Sequence, residues 1–89
     1  MSKISLTKID KENWRFILYK SDNGKWFADF PYSPISAIDL SMLIELTDSE
    51  KAMAENDRQF LINFSETIRN RYSEYFHRAL NRDNYTTND

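Results

Sequence analysis

His77 is the single histidine of this chain, set between Phe76 and Arg78, and the sequence has no cysteine that could share a metal ion with it. Imidazole catalysis needs a carboxylate to orient the ring, and zinc sites need several nitrogen or sulfur ligands at short spacing. Neither pattern surrounds His77, which reads as a residue at the rim of a helix. The carboxylates Asp29, Asp39 and Glu45 are the next candidates, because two carboxyl groups on one sheet face can divide acid and base work. That chemistry also needs a deep cleft, which a chain of 89 residues rarely builds. Solvated face residues are the expectation for all three. Gly24 is the only glycine, so a glycine-rich phosphate loop is excluded, and no serine lies in a nucleophile elbow. No catalytic residue, no cofactor and no metal site is expected, and the chain is not expected to be an enzyme.

Recognition is the chemistry that remains. Tyr19 and Phe27 are predicted to sit opposite each other on an outward sheet face, with Ile17 and Leu43 beside them and Arg15 and Lys25 nearby. Aromatics on an open sheet can stack bases, but Asp29, Asp39 and Glu45 on the same face would oppose a phosphate backbone, which makes a nucleic-acid partner unlikely on charge. The patch therefore suits a protein, with Tyr19, Phe27 and Leu43 as anchors and Asp29, Asp39 and Glu45 setting orientation and on-rate. The equal alternative is that Ile17, Tyr19, Phe27 and Leu43 form a small second cluster, half-covered by side-chain stems.

The elements that must position these residues start from a hairpin. The runs Trp14–Lys20 and Lys25–Phe30 flank Asp22-Asn23-Gly24, and Gly24 stands where the backbone needs a positive φ. A two-residue turn would mix polar and apolar groups on both faces. A three-residue loop with a bulge at Gly24 instead pairs Lys20 with Trp26, Leu18 with Ala28, Phe16 with Phe30 and Trp14 with Tyr32. One face becomes apolar, and Arg15, Ile17, Tyr19, Phe27 and Asp29 go to the other. Ile4-Ser5-Leu6-Thr7 alternates weakly and can form an earlier strand, turning at Asp10–Asn13. Ile38 to Leu46 alternates with a period of two, which predicts a strand rather than a helix.

Thr47-Asp48-Ser49-Glu50 is a capping box. It opens a long helix running toward Leu80, with Phe60, Leu61, Phe64, Ile68, Tyr72, Tyr75 and Phe76 forming one stripe. The polar patch Glu55-Asn56-Asp57 is the place where it would bend or split. The fold class that follows is α+β: an antiparallel meander of three to four strands with one long C-terminal helix packed on one face. Residues 1–80 form a single domain, and the polar residues 81–89 form a disordered tail.

Composition narrows the setting. Two tryptophans, five tyrosines and six phenylalanines supply a core that so short a chain would otherwise lack. The absence of cysteine suits a reducing, cytoplasmic compartment. No signal-peptide pattern opens the sequence, and no apolar run is long enough for a bilayer span, so no membrane partner is expected. The net charge of −2 favours neither nucleic acid nor membrane. Acids crowd Asp39 to Asp57 and arginines crowd Arg58 to Arg82, a distribution that fits helix dipoles. The function expected is that of a non-enzymatic protein-binding domain, an inhibitor or immunity-type protein that masks another macromolecule. A structural homodimer formed through an edge strand or the outer face is the alternative, and a single-stranded nucleic-acid binder a further one.

Overall fold

A computed structural model of the chain describes residues 3–35 and 38–88, with side chains at 3–32 and 40–87. Its centre is the hairpin of β2 (Phe16–Ser21) and β3 (Trp26–Ile35). Lys20 pairs with Trp26, Leu18 with Ala28 and Ile17 with Asp29, the register that the bulged loop predicts. The Gly24 N–H donates to the Ser21 carbonyl at 3.0 Å, and Gly24 takes φ 84°. The loop is three residues long because only glycine accepts that left-handed position without strain.

β1 (Ile4–Glu12) precedes the hairpin and β4 (Ile38–Glu45) follows it, both antiparallel to their neighbours. The four-strand meander and the strand at Ile38–Glu45 agree with the sequence pattern. Two features extend it. β1 continues through Glu12, past the expected turn at Asp10–Asn13, with a register shift between Lys8 and Asp10. A fifth strand, β5 (Tyr85–Asn88), pairs parallel with β1, giving a mixed sheet of order β4-β3-β2-β1-β5. The segment expected as a disordered tail is thus a 3-10 turn at Arg82–Asn84 followed by an edge strand. Its polarity suits an edge, where one side of the strand meets water. Asp89 lies outside the described residues.

The single long helix is also corrected. α1 (Asp48–Asn56) and α2 (Arg58–Asn70) are separated by Asp57 in extended backbone (φ −152°, ψ 108°), and a 3-10 helix follows at Tyr72–Arg78. The break forms where the polar patch sits, because the Asp57 carboxylate accepts from the Gln59 N–H at 2.9 Å and starts a new helix. Among the described residues no helix is long and apolar enough to cross a membrane.

The inner sheet face and α2 share one core. Phe16, Leu18, Ala28, Phe30, Met42 and Ile44 meet Leu61, Phe64 and Ile68. Phe30 and Phe64 lie 5.1 Å apart between ring centroids, and Tyr32 packs on Tyr72 at 5.2 Å.

Glu50 fastens the start of α1 to the rest of the fold. Its Oε1 accepts from the Thr47 N–H at 2.9 Å while Thr47 Oγ1 accepts from the Glu50 N–H, completing the capping box. Arg78 donates to both Glu50 oxygens at 2.6 and 3.0 Å and to the Glu45 carbonyl. Burial pushes the Glu50 carboxyl up, but the hydrogen bonds from Arg78 and Thr47 outweigh it and hold the group below its ordinary value of 4.5. Arg58 likewise holds Asp10 below 3.8. The unfolded chain therefore takes up more protons than the folded one as the pH falls. Stability from both groups is complete above about pH 5 and is lost as the pH drops through their lowered folded values. Urea midpoints should be lower at pH 3 than at pH 7. Glu50→Gln should lower the midpoint at pH 7 and flatten this acid slope.

Candidate functional site: the outer sheet face and the hairpin tip

Side chains of β2, β3 and β4 alternate across the sheet, so Ile17, Tyr19, Phe27, Asp29, Leu43 and Glu45 share the face opposite α2. That much follows the sequence. Of the two expectations for this face, an open patch and a small covered cluster, the second is the one that holds. Tyr19, Phe27 and Leu43 are only 5, 3 and 2% exposed and form a second small core with Leu6. Leu80 and Tyr85 cover them. Asp29 is buried too. Glu45 stays exposed and meets Lys25 at 3.8 Å. Asp39 belongs to β4, but its side chain lies outside the described residues.

The cover is the segment Ala79–Asn88, which crosses the face from one sheet edge to the other. Ala79 bridges Ile44, and the Leu80 N–H donates to the Leu43 carbonyl at 2.8 Å. Arg82 then reaches Asp29 and donates to Ser41 Oγ at 2.7 Å. Tyr85 sets its ring 5.5 Å from Phe27, and β5 closes on β1. The sequence signal for this path was faint. Leu80 and Tyr85 are isolated apolar residues in a polar stretch, and a parallel pair joining residues 4–7 to 85–88 leaves no local trace.

Beyond Arg82 the face is open. A cleft of about 480 Å³ lies between the β1–β2 turn and β4, lined by Lys11, Glu12, Asn13, Trp14, Arg15, Phe16, Ile17, Asp29, Pro31 and Ser41. Ile17 and Pro31 give it apolar surface. The charged groups at its rim are braced: Arg15 meets Glu66 at 2.9 Å, Glu12 meets Arg58 at 2.8 Å, and Asp29 meets Arg82.

Trp14 is the residue that sequence reasoning placed wrongly. Pairing with Tyr32 would have turned it into the core. The hairpin ladder ends before it, since β2 starts at Phe16, and Trp14 lies in the turn closed by the Arg15 N–H on the Glu12 carbonyl at 3.0 Å. Its indole is 78% exposed, and its φ is 65°, a left-handed conformation that bulky residues rarely take. Arg69 donates to its carbonyl, and Arg58 and Arg15 tie the flanking strands to α2. Three arginines thus hold the turn in a shape that presents the ring to solvent. Arg58 and Arg69, part of the arginine run that the sequence matches to helix dipoles, work here as clamps between elements.

His77 is exposed on the 3-10 helix. Among the described residues no group of three or more histidines, cysteines or acids is arranged to hold a metal. No known family, curated protein or solved structure matches this chain.

Proposed function

We propose that the chain is a non-enzymatic, protein-binding domain that masks part of another macromolecule, as small inhibitors and immunity-type proteins do, and that Trp14 with the adjoining cleft makes the central contact. The observation that carries this reading is Trp14 itself. An exposed indole on a left-handed backbone gains nothing for the fold, and such strain persists where the surroundings over-determine it for a use. Tryptophan is also among the side chains most enriched in the hot spots of protein interfaces. A partner with an apolar side chain for the cleft would bury the indole on one flank and meet the charged rim of Lys11, Arg15 and Glu12 on the other. The cysteine-free composition suits a cytoplasmic setting. Affinity capture from the native host with wild-type and Trp14→Ser chains tests the reading. The partner is expected to be held by the first and lost by the second; equal capture by both would contradict it.

One observation favours self-association as a second reading. Among the described residues, outward pairing of β4 is made by Leu43 and Ile44, near its end, and Leu40 is 45% exposed further along the same strand. Such an edge can pair across a two-fold axis. Sedimentation at micromolar concentration separates the two: a salt-insensitive dimer supports the edge reading, and a monomer removes it.

A further inference from the structure

The crossing segment is held to the outer face by the Leu80–Leu43 hydrogen bond, the Arg82–Asp29 pair, the side chains of Leu80 and Tyr85, and the short strand β5. β5 has four residues, pairs with β1 alone and does so in parallel, the less stable arrangement per residue. Thr86 and Thr87 are exposed, so Leu80 and Tyr85 are the side chains that cover the floor. The 3-10 helices leading into β5 contain no buried residue. The floor itself, Leu6 with Tyr19, Phe27 and Leu43, is apolar and almost fully enclosed.

We propose that the outer face is a strand-accepting groove, that Leu80–Asn88 is its resident occupant, and that the segment it accepts from a protein partner has the same chemistry, an extended backbone with an arginine three residues ahead of an aromatic. The protein-binding reading supplies the existence of a partner; the chemistry of the partner segment comes from the crossing segment alone. At one end Asp29 and Ser41 select a guanidinium, as Arg82 demonstrates. At the other, Phe27 takes an aromatic ring, as Tyr85 does at 5.5 Å. Between them the edge of β1 requires strand backbone, which is recognition by β-augmentation. Asp29 and Ser41 also line the open cleft. A cation arriving through the cleft meets the carboxylate that holds Arg82, so entry of the partner and release of the resident segment compete for one acid.

The test uses a fluorescent peptide copying residues 79–88, titrated into the full chain and followed by anisotropy and hydrogen exchange. Arg82→Ala in the chain weakens the resident and should tighten peptide binding about tenfold, roughly what one charged hydrogen bond is worth. Tyr85→Ala should act in the same direction. Replacing the arginine of the peptide by alanine should weaken binding about as much. As peptide is added, amides of the chain at 85–88 should lose protection while those at 4–7 keep it. No saturable binding to either variant, or binding that leaves 85–88 protected, overturns the proposal. Failure here, with capture still dependent on Trp14, removes the groove and leaves the protein-binding reading standing. Exchange here, with capture indifferent to Trp14, does the reverse.

Discussion

Truncating Phe30 to alanine should destabilise the fold by about 3–5 kcal/mol, the range for a buried phenylalanine whose neighbours cannot fully collapse into the space. Phe30 is fully enclosed between the sheet and α2. It touches the Phe64 ring, which in turn meets Phe60 and Tyr75 at 5.8 Å each. The vacancy would therefore lie against Phe64, the centre of an aromatic cluster whose remaining members are fixed by α2 and the 3-10 helix. Small domains hold roughly 0.05–0.15 kcal/mol of stability per residue, about 4–13 kcal/mol for a chain of this length, so a loss of this size would remove from about a quarter to all of it. Phe30→Leu should cost less, about 1–1.5 kcal/mol, because it nearly conserves volume. Urea unfolding followed by far-UV circular dichroism reads both. A cost below about 1 kcal/mol for alanine would mean that sheet and helix do not meet at Phe30.

Trp14→Gly should have opposite effects on stability and on binding. Glycine takes φ 65° freely, whereas a side-chain-bearing residue there gives up about 1–2 kcal/mol. The indole has little packing to lose, so the variant should be more stable than wild type by about 1 kcal/mol, less the extra entropy of an unfolded glycine. Its affinity for the captured partner should fall by at least about thirtyfold, the cost of removing an interface anchor of about 2 kcal/mol. A gain in stability with undiminished capture would show that the ring is there for some other reason. A loss of stability would show that the turn is not strained.

The parts of the fold legible in the sequence are those whose signals are local. Gly24 fixes a loop and, through it, the register from Lys20–Trp26 to Ile17–Asp29. The alternation from Ile38 marks β4, and Thr47 with Glu50 marks the start of α1. Features decided at longer range are not legible in this way. Tyr85 covers Phe27 from about two thirds of the chain away, β5 pairs with β1 across nearly the whole chain, and a four-residue strand of threonines and an asparagine after tyrosine has no pattern until β1 is beside it. That is why Tyr19, Phe27 and Leu43 can read as an open patch when they are a covered one. Trp14 departs from the alternation for a different reason: β2 begins at Phe16, so the ladder does not extend to it. Asn13-Trp14 between Glu12 and Arg15 is a turn once Glu12 accepts from the Arg15 N–H, and a turn does not alternate. The site thus moved along the same face, from the aromatics that the hairpin sends outward to the tryptophan at its neighbour's tip.

The measurement that bears most directly on the whole account is photo-crosslinking in native host cells, with a benzophenone amino acid at position 14 and, in a parallel chain, at position 55 on the exposed acidic face of α1. The account requires a protein adduct from position 14 that is absent or minor from position 55. Adducts from position 55 with none from position 14 would contradict it.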